Sequence, residues 1–198
     1  MRIGIIGAGS VGSALGTGWA RAGHEVVFGV RDEERYRDVA REAGENARLA
    51  SVATAAADGE VVVLAVPFGA VPDVLETLDV GEKPLVDCTN PIGADLDASG
   101  AERVAELAPD ARVVKAFNSV GAEHFVDPET AGLAATVPYC GDDDEATSVV
   151  AALGEDLGLD VVDAGDLAAA ELLESLARLW IHLSRTHGRG VAFRLLRE

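Results

Sequence analysis

A doubly wound, mainly parallel α/β sheet with a C-terminal helical extension is the fold this sequence predicts. Three observations carry the expectation. Short aliphatic runs alternate with segments of helical periodicity, turn signals separate them, and several runs are apolar throughout, as in strands buried on both faces. Strands separated by helical segments pair in parallel through right-handed crossovers, and such a sheet holds its ligand in a crevice at the strands' carboxyl ends.

In chain order, Arg2–Ile6 reads as a strand, Ser10 to Ala22 as a helix ended by Gly23, and Glu25–Val30 as a second strand, which together make a βαβ opening unit. An acid-rich stretch follows to about Asp58, with a helix expected at Glu33–Ala43. Val61–Val66 is apolar at every position and stops at Pro67, as a fully buried strand would. A helix near Val71–Leu78, a strand at Leu85–Thr89, a helix near Ala101–Ala108 and a strand at Arg112–Phe117 come next. Two further strands, near Ala135–Cys140 and Leu159–Asp163, flank a helix whose Ala146, Val149, Val150, Leu153 and Leu157 form one stripe. From Leu167 to about Thr186 the leucines 172, 173, 176, 179 and 183 with Trp180 mark a long helix. The expected division is residues 1–165 as one nucleotide-binding domain and residues 166–198 as an extension packed on that domain or on a partner subunit.

Composition narrows the function. With 198 residues there is room for one domain and a short appendage, and a large second catalytic domain does not fit. Acids outnumber bases 34 to 16, and the only lysines are Lys83 and Lys115, a balance that argues against nucleic-acid binding and fits a soluble surface, as in a salt-rich cytoplasm. No apolar run has membrane-spanning length and the N-terminus enters a strand at once, so the expected location is the cytoplasm. Cys88 and Cys140 stand far apart with no CxxC and no histidine-rich neighbourhood, so free thiols are expected and no metal site. The four histidines lack ligand partners at suitable spacing, and no nucleophile-elbow sequence supports hydrolase chemistry.

The chemistry-bearing feature is the loop Gly7-Ala8-Gly9-Ser10-Val11-Gly12. A lone GxGxxG is a weak signal. This one follows an apolar strand, opens a helix and reaches a second strand within thirty residues, which is the context that dinucleotide binding needs and makes the expected domain Rossmann-type. Gly7 permits the tight turn, Gly9 lets the backbone approach a pyrophosphate, and Gly12 lets helix and sheet pack closely. The helix N-terminus supplies amide donors and a positive dipole to the phosphates.

An NAD-specific site carries an acid at the end of the second strand. Here that end reads Phe28-Gly29-Val30-Arg31, and Arg31 with Arg35 offers planar forks suited to a 2′-phosphate, so NADP(H) is the expected nucleotide. Asp32, Glu33 and Glu34 leave a second reading open, in which the arginines pair with those acids. Ala65-Val66-Pro67 and Thr89-Asn90-Pro91 end buried strands and should line the crevice near the ribose and nicotinamide, with Ala116 and Asn118 on the same rim. Asn118 suits either a nicotinamide amide contact or a turn, and Lys115 either a neighbouring acid or a ligand carboxylate.

With these residues quoted, the chain resembles the family of NADPH-dependent coenzyme F420 reductases and the related N-terminal oxidoreductase domains of membrane ferric reductases. The resemblance extends over nearly the whole chain, through Val86-Asp87-Cys88-Thr89-Asn90-Pro91, Val114-Lys115-Ala116-Phe117-Asn118, Gly141-Asp142-Asp143, Leu173 to Trp180 and Phe193-Arg194-Leu195-Leu196. It implies a dimeric enzyme in which a deazaflavin, coenzyme F420, stacks on the nicotinamide and hydride passes directly between them. The family commonly has Ser where this chain has Val30, which removes one hydroxyl contact and leaves Arg31 and Arg35 to carry selectivity.

Direct transfer between stacked rings needs proximity and orientation more than a protein acid or base, so no catalytic residue is expected. Reduction of a flavin, a ferric chelate or an imine is the alternative within the same class, and a non-catalytic NADPH sensor the alternative outside it. The apolar Leu167–Thr186 helix favours a homodimer.

Overall fold

The computed structural model describes residues 1–197, so Glu198, the last residue of the expected extension, lies outside the described residues. The chain opens with β1 (Arg2–Ile6), α1 (Ser10–Arg21), β2 (Glu25–Gly29) and α2 (Glu33–Ala43). Then come β3 (Ala47–Ala50), α3 (Val52–Asp58), β4 (Val61–Leu64), α4 (Val71–Glu76), β5 (Pro84–Asp87), α5 (Gly100–Leu107) and β6 (Arg112–Lys115). A small hairpin of β7 (Glu129–Thr130) and β8 (Leu133–Ala134) precedes β9 (Thr136–Gly141), α6 (Asp144–Asp156), β10 (Asp160–Asp163) and α7 (Ala170–His187).

Eight strands form one sheet in the order β10-β9-β6-β5-β4-β1-β2-β3. All neighbours are parallel except β6 and β9, where Val114 faces Gly141 and Lys115 faces Cys140 in antiparallel register. The expected doubly wound α/β fold with a C-terminal helix is therefore present. Sequence order reverses between β1 and β4, with Ile3 beside Val61 and Ile6 beside Leu64, and that switch point is where the crevice opens.

Alternation along the buried strands sorts the core into two layers. Ile3, Ile5, Val26, Phe28, Val61, Val63, Val86 and Val114 face α1 and α6, meeting Leu15, Trp19, Val150 and Leu153. Ile6, Val27, Val62, Leu64, Leu85 and Val113 face α3, α4, α5 and α7, meeting Ala55, Val71, Leu75, Val104 and Leu173. Trp19 is wholly buried and its indole donates 2.9 Å to the Leu153 carbonyl, so α1 and α6 are joined by a directed bond as well as by apolar contact.

Helix starts follow local chemistry. Asp32, Ser51 and Asp143 accept from the amides of Arg35, Thr54 and Ala146, and Ser99 with Glu102 forms a reciprocal capping box on α5. Helix α1 differs: Gly9 caps it with no side chain at all.

Several boundaries depart from the sequence expectation. Strand β3 and helix α3 lie in the stretch read as acid-rich connection; β3 is short and alanine-rich and sits at the sheet edge, so its pairing with β2 comes from tertiary register, not propensity. The strand expected over Arg112–Phe117 stops at Lys115, since Phe117 adopts a left-handed backbone with φ of 57°. Ahead of α7, residues Leu167–Ala169 form a 3-10 turn. No helix among the described residues is long and apolar enough to cross a membrane.

Candidate active site at the carboxyl edge of the sheet

Five consecutive strands, β2, β1, β4, β5 and β6, deliver every candidate residue to one edge. At its centre β1 turns sharply into α1. Gly7 holds φ of +101°, and a Cβ there would stand 2.6 Å from the Ala65 carbonyl oxygen, so the turn and the close approach of β4 both require glycine. A Cβ on Gly12 would meet the Gly7 carbonyl at 2.0 Å and the Ala65 methyl at 3.2 Å. Gly7, Gly12 and Ala65 thus pack as one unit. Gly9 is the contrast: nothing lies within 4 Å of where its Cβ would be, and it caps α1 without a side-chain acceptor. The loop therefore presents open space and free first-turn amides, which suits an anion. Ser10 is exposed and Val11 half-buried beside it, while Ala8 points into the core.

At the end of β2, Val30 is buried and Arg31 exposed. Asp32 is spent capping α2, accepting from the Arg35 amide at 3.2 Å. Arg37 and Arg41 of α2 pair with Glu34 and Asp38, whereas Arg31 and Arg35 make no carboxylate ion pair among the described residues. The Arg35 guanidinium rests 5.5 Å from the Tyr36 ring centre. Two arginine forks thus remain uncommitted beside the glycine loop, against the alternative in which local acids occupy them.

Beyond β4, Ala65 and Val66 are half-buried and Pro67 is exposed. Beyond β5 and β6, Asn90 and Asn118 are locked together. The Asn90 amide donates to the Asn118 carbonyl at 2.9 Å, and the Asn118 amide donates to the Asn90 side-chain oxygen at 3.0 Å and to the Leu173 carbonyl of α7 at 3.2 Å. Pro91 and Ala116 are buried; Ala116 has no exposed surface at all, so it backs the rim and does not line it. Left-handed Phe117, packed edge-on against Trp19 and Phe125, reverses the chain after β6 and brings Asn118 back over the β5 end.

Beneath that pair lies a buried charge cluster. The Lys115 ammonium donates to Asp87 at 2.8 Å and to the Thr89 carbonyl at 2.6 Å, and lies 3.1 Å from Glu174 of α7. Burial alone would favour the neutral amine, but the Asp87 and Glu174 charges outweigh it and hold the Lys115 pKa above the ordinary lysine value. Of the two readings open for Lys115, the structure selects pairing with acids. Cys88, next to this cluster, has its thiol pKa pushed well up, first by burial and then by the Asp87 charge, and Cys140 is raised to about 12, chiefly by burial. Both are free, protonated and unsuited to nucleophilic work.

Thr89, expected from sequence to line the crevice, and Ser119, which sequence reasoning overlooked, have buried hydroxyls without a partner among the described residues, as does the Asn118 side-chain oxygen. Their concentration on the two rim segments after β5 and β6 marks this edge as polar and under-satisfied, as a ligand-binding wall is. The glycine cradle, the two uncommitted arginines and these rim atoms fit a phosphorylated dinucleotide laid along the edge.

Comparison with known proteins agrees with this geometry. Residues 2–91 match the profile of the family described as NADP oxidoreductase, coenzyme F420-dependent. The F420-dependent NADP reductase of Methanothermobacter marburgensis is 31% identical over 208 residues, covering 93% of this chain and 92% of that protein. The enzyme of the same name from Methanothermobacter thermautotrophicus is also 31% identical, covering 98% and 94%. A crystal structure from Arthrobacter sp. FB24, assigned to an F420-dependent NADP-reductase, superposes with a TM-score of 0.86 at 31% identity over 100% of both chains. With matches of that extent and a site of that shape, this chain belongs to the family of coenzyme F420-dependent NADP oxidoreductases.

Proposed function

We propose that the protein binds NADP(H) along the carboxyl edge of its sheet and exchanges hydride directly between the nicotinamide and the deazaflavin of coenzyme F420. The carrying observation is the pairing of a glycine loop at β1, open at Gly9, with Arg31 and Arg35 at the neighbouring strand, which make no ion pair with a carboxylate among the described residues. In this reading the amides of Gly9 to Gly12 hold the pyrophosphate, with Ala8, Ser10 and Val11 shaping the loop. Arg31 and Arg35 grip the 2′-phosphate over Val30. Ala65, Val66 and Pro67 flank the ribose, and Asn90, Pro91 and Asn118, backed by Ala116, form the wall at the nicotinamide end.

When bound, the two cofactors supply hydride donor and acceptor between them. The chain's own contribution is to orient them and to exclude water, which fits a wall built from amides, a proline and buried apolar strands.

Residues 166–197 serve as a helical extension rather than a substrate domain. Along its outer side α7 presents Leu172 and Leu179, 70% and 47% exposed, with half-buried Leu176 and Leu183 on the same stripe. That stripe supports a homodimer.

The test mixes purified protein with NADPH and oxidised F420 and follows the visible absorbance of the deazaflavin and the near-ultraviolet absorbance of NADPH. Loss of both at equal rates is expected. Turnover with FMN, a ferric chelate or an imine but none with F420 would overturn the choice of acceptor. Tight NADPH binding with no turnover on any acceptor would favour a sensor.

A further inference from the structure

The buried cluster around Lys115 has no role in the reading above, yet it occupies the space directly behind the crevice wall. Asp87 and Lys115 have no exposed side-chain surface and Glu174 has 3%. Glu174 also accepts from the amides of Gly100 and Ala101, at 3.1 and 3.3 Å, so the excess carboxylate charge rests on the first turn of α5.

Stability alone is a weak reason for such a cluster. Removing charges from water costs several kcal/mol per ion, and packed apolar residues of similar volume do as well or better. Its connections are more specific. The Lys115 ammonium holds the Thr89 carbonyl, Asp87 accepts from the Thr89 amide at 2.9 Å, and both bonds therefore set the turn that carries Asn90 and Pro91. On the other side Glu174 belongs to α7, one residue beyond Leu173, whose carbonyl receives the Asn118 amide. Strand ends β5 and β6 and helix α7 are thus tied at two adjacent points.

We propose that Lys115 is a positioning residue for hydride transfer: with Asp87 and Glu174 it couples the placement of α7 to the Thr89–Pro91 and Asn118 wall that orients the nicotinamide. This rests on the site reading above. Transfer between stacked rings depends on donor–acceptor geometry, so a small shift of that wall acts on the rate far more than on binding, which the glycine loop and arginines dominate.

The test uses Glu174→Gln, which keeps one acceptor oxygen for the first turn of α5, where the native carboxylate gives one oxygen each to the Gly100 and Ala101 amides, while removing the charge facing Lys115. A combined variant, Lys115→Met with Asp87→Asn and Glu174→Gln, removes all three charges so that no buried carboxylate is left facing an apolar side chain, and guards against misfolding of the single change. In both, kcat with F420 should fall about tenfold or more while the NADPH Kd and KM stay within about twofold. Amide hydrogen exchange in the folded variants should rise together in residues 87–91 and 170–176 and stay unchanged in residues 7–13. Unaltered kcat, or faster exchange confined to α5 and α7 with 87–91 still protected, would overturn the proposal. If the native chain binds NADPH but does not turn over F420, the acceptor assignment fails on its own and the exchange pattern still decides the coupling.

Discussion

The Lys115 ammonium and the Asp87 carboxylate meet at 2.8 Å with neither side chain exposed, on adjacent parallel strands whose register sets the two residues side by side. A single truncation there strands a charge in the core. Lys115→Met alone should lower unfolding stability by about 3–5 kcal/mol, whereas the triple change with Asp87→Asn and Glu174→Gln should cost clearly less. Urea melts of the native protein and of the single and triple variants check this; equal losses for the single and triple variants would contradict it.

Nucleotide choice should reside in the two uncommitted arginines. Replacing both Arg31 and Arg35 with Ala is expected to weaken NADPH binding by about 1.5–3 kcal/mol per lost charge-assisted contact while leaving NADH binding nearly unchanged. Calorimetric titration of both nucleotides measures the difference, and parallel losses would assign the arginines elsewhere.

The glycines of the loop should separate folding from binding. Gly12→Ala drives a methyl to 2.0 Å from a backbone oxygen and should destabilise the fold by about 1–3 kcal/mol. Gly9→Ala meets no protein atom within 4 Å, so its melting temperature should stay near native while NADPH affinity drops as the methyl enters the pyrophosphate space.

On the outer side of α7, a charge on the leucine stripe should break self-association. Leu172→Glu with Leu179→Glu is expected to reduce the mass seen by sedimentation to that of one chain, with little change in melting temperature, because both residues are exposed in the protomer. A native protein already monomeric at micromolar concentration would refute the dimer.

The C-terminal tail should respond to acid. Arg189 donates to Glu123 at 2.6 Å and lies 5.3 Å from the Trp180 ring centre, and that hydrogen bond, foremost, holds the Glu123 pKa below its ordinary 4.5. A depressed carboxylate pKa means the contact contributes fully above the unfolded value and is lost as pH falls through the folded one. Trp180 fluorescence should therefore be flat from pH 6 to 8, change below about pH 4, and lose that transition in Glu123→Gln.

Much of this molecule is legible without coordinates. Apolar runs such as Val61–Leu64 announce strands buried on both faces, and a glycine loop between strand and helix announces its own turn, because those properties depend on neighbours in sequence. Arg31 at the end of β2 is readable for the same reason. Register and partner choice are not local. Strand β3 forms because β2 offers it an edge, β9 runs antiparallel to β6 and parallel to β10, and Phe117 takes a left-handed backbone with its ring packed edge-on against Trp19 and Phe125. Lys115 stands out in its strand from sequence alone, but its partners, 28 residues before it and 59 after, are chosen by sheet register and by the docking of α7. The sequence by itself determined the fold class, the nucleotide loop and the residues at the strand ends, through short-range turn and burial chemistry. Only the tertiary structure decided which acids neutralise Lys115, which arginines stay uncommitted and which backbone atoms the crevice wall leans on, since each depends on groups brought together across the sheet.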